Sequence, residues 1–221
     1  MHGAAVQDYL KVICKFSLAG ERCTPSVVAE RMAVSPAAVT KMLRRLTELR
    51  LVEYARGGEI TLTPAGEKVA LEMIRHHRLL ELYLMEALGY TWDKVDSEAE
   101  RLEHVISEEF EARIDELLGF PTHDPHGDPI PTKDGFLARD QFGTLAELQP
   151  GTEAVVRRVR DGDPALLRYL GDLGLYPSVT VRMERVEPYG GPLRVTVNGT
   201  ERAVGRELAS SVFVEPAGTG A

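Results

Sequence analysis

The chain has 221 residues, 43% of them apolar and 27% charged, with a net charge of -8. That length holds one large domain or two to three small ones, and the composition excludes a wholly disordered chain. The longest apolar runs last only a few residues, no basic-then-apolar leader follows Met1, and Cys14 and Cys23 are too few for a disulfide framework; a cytoplasmic protein with no membrane partner is expected.

Residues 4–19 place Val6, Tyr9, Leu10, Ile13 and Phe16 at helical spacing, and Gly20 stops the run. Thr24-Pro25 opens a second helix reaching Met32, Ala33-Val34 turn, and Ser35-Pro36 cap a third helix running to Arg50. Val52–Ala55 and Glu59–Thr63 read as strands joined by Gly57-Gly58. Three helices followed by a two-stranded wing describe a winged helix-turn-helix over residues 1–68. Helices are then expected over 64–87 and 97–118, forming an all-helical domain over 69–143. The stretch 121–135, with four prolines and two glycines, is either a linker or an ordered loop. Beyond it the periodicity changes to short β-rich runs (154–159, 179–186, 193–197, 201–204, 212–214) interrupted by one helix at 165–171. Residues 144–221 are therefore expected to form a small SH3-like β-barrel, and the fold class is α+β.

Charge is unevenly spread. The first segment carries a balance of +3, the middle one -10 and the last -1. A basic head suits nucleic acid, and an acidic middle suits a cation. In a helix-turn-helix the start of the second helix meets base edges. Here that start is Ser35, Pro36, Ala37, Ala38, Thr40 and Lys41, with Arg44, Arg45 and Arg56 suited to phosphates. In the acidic middle, Glu100, Glu103 and His104 stand at i, i+3 and i+4 on a helix, Asp96 lies one turn earlier, and His77 and Glu81 form an i, i+4 pair. Such a set is either a solvated acidic face or an oxygen-and-nitrogen site for Mn²⁺ or Fe²⁺. His123 and His126, in the proline-rich stretch, read as surface histidines. Trp92 and Cys14 read as packing residues.

Six segments taken together resemble the diphtheria toxin repressor family of iron- and manganese-dependent regulators. They are DYLKVI (8–13), SPAAVTKMLRRL (35–46), LTPAGEKVA (62–70), RHHRLLELYL (75–84), EAERLEHVIS (98–107) and DPHGDPIP (124–131). The resemblance covers residues 5–135 and continues more weakly into the β-rich tail. It implies a regulatory metal held by Asp8, Glu100, Glu103 and His104, with the Glu100 carbonyl. Iron-responsive members place methionine and cysteine where this chain has Asp8 and Glu100, so carboxylates here imply Mn²⁺, with Fe²⁺ as the alternative. The resemblance also implies an ancillary site at His77, Glu81 and Asp96, completed from the third domain by Asp163, with Asp161 an equal candidate and Leu166 at the remaining position. Lys11 stands where the short manganese regulators carry a glutamate, which implies two separate mononuclear sites rather than a paired one.

The function that follows is a metal-dependent repressor of metal-homeostasis genes: a homodimer on double-stranded operator DNA, needing no organic cofactor. Metal bridging Asp8 to the central helices would order the reading heads, and part of the apolar set Leu79, Leu80, Leu82, Leu84, Val105, Ile106, Phe110, Ile114 and Leu117 would form the dimer face. A metalloenzyme needs a substrate cleft that nothing in the sequence supplies. A proline-peptide module needs an aromatic cluster that the tail lacks.

Overall fold

The computed structural model describes residues 3–54 and 58–217. They fall into two compact units, Met1–His77 with Glu100–Ala112 and Pro131–Leu137, and Arg78–Ala99 with Arg113–Ile130 and Ala138–Ala221. This division cuts across the three segments drawn from sequence, because the central helices give part of their length to each core.

In the first unit, α1 (Ala4–Leu18), α2 (Pro25–Arg31) and α3 (Pro36–Glu48) precede the hairpin β1 (Val52–Tyr54) and β2 (Ile60–Leu62) and the first half of α4 (Pro64–Leu88). Thr24 and Ser35 cap α2 and α3 by accepting from the Val27 and Ala38 amides, each followed by proline at the first helical position. Val6, Leu10 and Ile13 of α1 share one core with Val39, Leu43 and Leu46 of α3, Val52 and Ile60 of the wing, and Ile74 of α4. β1 and β2 pair antiparallel, Val52 opposite Leu62 and Tyr54 opposite Ile60. Ala55, Arg56 and Gly57 lie outside the described residues.

The helix expected over 97–118 is two helices, α5 (Val95–Leu102) and α6 (Glu108–Leu117). The break has a hydrogen-bonding cause. The Glu103 carbonyl is taken by His76 Nδ1 at 3.2 Å, and Ser107 caps the next helix by accepting from the Phe110 amide. Glu103 and His104 thus stand in a turn beyond α5 rather than on its face.

Of the two readings of 121–135, the ordered loop is what the structure has. Asp124 Oδ1 accepts from the His126 and Asp128 amides at 2.8 and 2.9 Å, an Asx-type turn that folds the segment on itself. His126, read from sequence as a surface histidine, has no exposed surface at all. Its carbonyl accepts from the Val159 amide and its ring stacks on Trp92, centroids 5.9 Å apart. Trp92 in turn belongs to the core of the β-rich part of the second unit.

That part has β3 (Gly143–Thr144), β4 (Glu153–Val159), α7 (Pro164–Leu173), β5 (Thr180–Val186), β6 (Leu193–Val197), β7 (Thr200–Val204), α8 (Arg206–Ala209) and β8 (Val212–Pro216). The antiparallel order is β3-β8-β4-β5-β6-β7. The expected barrel is an open sheet among the described residues. β3, two residues long, pairs with β8 alone, and β7 ends the ladder at the other edge. The β4 register shifts at Arg157, beside the point where the 121–135 loop crosses the strand.

At that crossing Gly127 has φ +90°, and a side-chain carbon there would overlap the Arg157 carbonyl. Gly127→Ala is therefore expected to cost at least about 1–3 kcal/mol of stability from backbone strain alone, read as a lowered melting temperature. An unchanged melt would show that the loop is not pinned to β4.

Candidate metal centres and nucleic-acid interface

On α3 the buried positions Val39, Leu43 and Leu46 alternate with exposed ones. Ser35, Pro36, Ala37, Ala38, Thr40, Lys41, Arg44 and Arg45 are all exposed, so the face expected from sequence is presented together. Two hydroxyls are partly committed: Ser35 Oγ accepts from the Ala38 amide, and Thr40 donates to the Pro36 carbonyl at 2.9 Å. Arg56 lies outside the described residues.

The first unit also holds an acidic pocket. Asp8 comes from α1, and Glu103 and His104 from the turn after α5; one ligand atom from each lies within 4.8 Å of the others. His104 Nδ1 lies 3.0 Å from the Gln7 side-chain oxygen, an acceptor, so Nδ1 donates to it and Nε2 is left for the acidic residues. Nε2 lies 2.8 Å from the buried Asp8 Oδ1, an ion pair when the ring is protonated. A proton or a metal cation would hold the two atoms together. Burial pushes the Asp8 carboxyl up from its ordinary value, opposed by His104 and reinforced by Glu100. Burial would raise Glu103 as well. The hydrogen bond and charge of His77, followed by Lys11, outweigh it and hold Glu103 below the usual carboxylate range. Glu100, from α5, is half exposed and reaches the same pocket through Lys11, whose ammonium lies 2.6 Å from both Glu100 and Glu103.

Of the expected ancillary set, His77 and Glu81 stand one turn apart on α4, whose two halves belong to the first unit and the second. His77, in the first, binds Glu103 Oε2 through Nδ1 at 2.5 Å. In the second, Asp96 is exposed on α5 and Asp163 caps α7 by accepting from the Ala165 amide. Glu81 is buried in a group with Asp124 and His126, their ligand atoms within 4.8 Å of one another. His126 Nε2 donates to the Trp92 carbonyl at 2.8 Å, and Nδ1 lies 3.8 Å from Glu81 Oε1. Asp124 Oδ2 and His126 Nδ1 make no hydrogen bond, though Arg78 Nε forms an ion pair with Asp124 Oδ2 at 3.4 Å. Burial, then the charges of Glu81 and Asp128, push the Asp124 carboxyl up to about 7. His126 is raised too: burial lowers it, but Glu81 and Asp124 prevail, with a smaller pull from Asp161.

Sequence reading missed Asp124 and His126 as a site, and Gln7 as the residue that orients His104. A histidine between two aspartates in DPHGDP was the available signal. The density of proline and glycine around it argued for surface loop instead. Both cysteines are buried, and the Cys23 thiol is pushed up to about 11, by burial first and then by Glu59, which makes it a poor nucleophile or redox sensor.

Both pockets offer only oxygen and imidazole nitrogen, a donor set for hard or borderline divalent ions. Among the described residues no helix is long and apolar enough to cross a membrane.

Comparison with known proteins agrees with this architecture. Residues 1–58 match the iron dependent repressor N-terminal DNA binding domain, residues 63–132 its metal binding and dimerisation domain, and residues 143–216 the FeoA domain. The chain is 33% identical to the iron-dependent repressor IdeR of Mycobacterium tuberculosis, over 94% of this chain and 95% of the other. It is 36% identical to the diphtheria toxin repressor of Corynebacterium diphtheriae, over 66% and 63%. Among solved structures it is similar to a manganese-dependent transcriptional repressor in complex with manganese, with a TM-score of 0.85 and 38% identity over 96% of this chain and 99% of that one. It is also similar to the manganese regulator SloR, with a TM-score of 0.74 and 32% identity over 96% and 98%. Sequence, fold and pocket chemistry converge: the chain belongs to the diphtheria toxin repressor family of three-domain, metal-dependent transcriptional repressors, which are DNA-binding proteins and not enzymes.

Proposed function

We propose that the protein is a manganese-dependent repressor of metal-homeostasis genes, acting in the cytoplasm as a homodimer on operator DNA. The observation that carries this reading is the convergence of ligand atoms of Asp8, Glu103 and His104 within 4.8 Å, with Asp8 Oδ1 2.8 Å from His104 Nε2 on a separate chain segment. Asp8, Glu100, Glu103 and His104 would hold the ion, with the Glu100 carbonyl. An ion there supplies two positive charges where burial has gathered carboxylates. The absence of sulfur from this set favours Mn²⁺ over softer ions, and Fe²⁺ is the second reading, supported by the iron-dependent relatives.

The coupling to DNA runs through α1. Its Asp8 side faces the turn of Glu103 and His104, and its other side (Val6, Leu10, Ile13) lies in one core with Val39, Leu43 and Leu46 of α3. Fixing Asp8 therefore fixes the helix that carries Ser35, Pro36, Ala37, Ala38, Thr40 and Lys41 to the bases and Arg44 and Arg45 to the phosphates; Arg56 would serve the wing. A head ordered beforehand loses less freedom on docking than a mobile one. Phe110, Leu117 and Phe120, exposed on and just after α6, support a dimer face there, and two heads suit two half-sites.

A second centre is proposed at Glu81, Asp124 and His126, whose ligand atoms lie within 4.8 Å of one another, beside the Arg78 guanidinium that pairs with Asp124. The set implied by resemblance (His77, Glu81, Asp96, Asp163) is its alternative. Trp92 separates them, since it stacks on His126 and is the chain's single tryptophan. Mn²⁺ titration is expected to quench Trp92 fluorescence. His126→Ala should remove the quench while His77→Ala retains it; the reverse pattern would favour the alternative set.

For the DNA-coupled centre the test is a gel shift on the protein's own promoter with chelator, Mn²⁺, Fe²⁺ (anaerobic) and Zn²⁺ at matched free concentrations. Binding is expected with Mn²⁺ and not with chelator. Asp8→Ala and His104→Ala should each weaken the metal dependence by about tenfold or more, the scale of losing even an outer contact to a metal site, with unchanged circular dichroism. Metal-dependent binding that survives both substitutions would refute the proposal.

A further inference from the structure

The exposed start of α3 has a sparse set of polar side chains. From Ser35 to Thr47 there is no carboxylate, no side-chain amide and no aromatic ring. Thr47, at the far end, gives its proton to the Leu43 carbonyl. Hydrogen bonding to DNA from this helix therefore falls to Ser35, Thr40, Lys41, Arg44 and Arg45, all exposed.

A hydroxyl is ordinarily both donor and acceptor. Here the helix backbone removes that ambivalence, and in opposite senses at the two positions. Thr40 donates its one proton to the Pro36 carbonyl at 2.9 Å, so its exposed oxygen can only accept. Ser35 Oγ accepts from the Ala38 amide at 3.2 Å and keeps its proton, so it remains a donor. Phosphate oxygens need a donor. Ser35 suits one and Thr40 does not, which leaves Thr40 for a base amino group. Lys41 stands i+4 from Ala37 and i+3 from Ala38, so its long side chain rises beside two methyl groups. It carries three donors and no acceptor, and among the described residues it is paired with no carboxylate. In the major groove guanine offers two acceptors, O6 and N7, adenine and cytosine offer an amino donor, and thymine offers a methyl group.

We infer, resting on the operator-binding reading above, that α3 reads each half-site with one donor and one acceptor. Lys41 takes a guanine through O6 and N7, and Thr40 accepts from the amino group of a neighbouring adenine or cytosine. Ala37 and Ala38 let the helix approach closely and meet thymine methyls. Ser35, Arg44 and Arg45 hold phosphates and carry no sequence preference.

The test selects binding sites from a randomised duplex library with the full-length protein, in Mn²⁺ and in anaerobic Fe²⁺ in parallel. The unsubstituted protein is expected to enrich a two-fold symmetric site with a guanine in each half-site, preferred about tenfold or more, the scale of one good base contact. Lys41→Ala should lose the preference at that position alone. Lys41→Gln should change it to adenine, whose N6 and N7 suit an amide. Thr40→Val, similar in shape but without lone pairs, should lose the preference at one adjacent adenine or cytosine. An unchanged site in Lys41→Ala, bound more weakly and with a shallower salt dependence, would put Lys41 on a phosphate and overturn the inference. An unchanged site in Thr40→Val would overturn the sense assigned to its hydroxyl. Enrichment in Fe²⁺ alone would reject the choice of Mn²⁺, and the same variants then decide the base assignments in Fe²⁺. Enrichment of no sequence with either ion would sink the operator-binding reading itself, and this inference with it.

Discussion

The structure turns on one electrostatic conflict. Asp8 is carried by the first helix and Glu103 and His104 by a turn nearly a hundred residues later, yet the fold gathers their ligand atoms within 4.8 Å of one another. Removing carboxylates from water is costly, and the chain offsets that cost only in part, through Lys11, His77 and the Gln7 contact that orients His104. On the reading proposed above, an ion that neutralised the remaining charge would hold α1 and, because α1 shares a core with α3, would order that helix as well.

The second unit repeats this construction with different parts. His126, like His104, gives one ring nitrogen to a protein oxygen and leaves the other facing carboxylates, a common way of presenting an imidazole to a metal. The difference lies in the support. The first pocket is fastened to a helix of the DNA-binding head. The second is fastened to β4 through the Val159 amide and to the β-rich core through Trp92. Filling the two pockets would thus act on different bodies, one tied to DNA reading and the other to the integrity of the third domain.

Much of this was legible in the sequence, and what was not has physical causes. The winged head is dictated locally: Thr24-Pro25 and Ser35-Pro36 start helices, and the apolar spacing of α1 and α3 fixes which faces are buried. Glu103 and His104 were singled out by type and spacing, on a continuous helix that does not exist, whereas Asp8 entered only through the family resemblance. The chain breaks at Glu103 because His76, twenty-seven residues earlier, takes its carbonyl, and no local pattern carries that information. The loop of Asp124 and His126 was misjudged for a related reason. Proline and glycine signal irregular backbone, and irregular backbone is ordinarily at the surface. Here the Asp124 side chain satisfies the loop amides itself, which lets the segment be buried. The open sheet follows from the brevity of β3, which strand propensity does not reveal.

The central claim is that one ion and the operator select the same arrangement of α1 and α3, so each must strengthen the other's binding by an equal factor. Measuring the Mn²⁺ dissociation constant of the His126→Ala protein by titration calorimetry, free and saturated with operator duplex, tests that most directly. The account requires tighter Mn²⁺ binding on DNA, with the gain lost in Asp8→Ala. Identical affinity in the presence and absence of operator would contradict it.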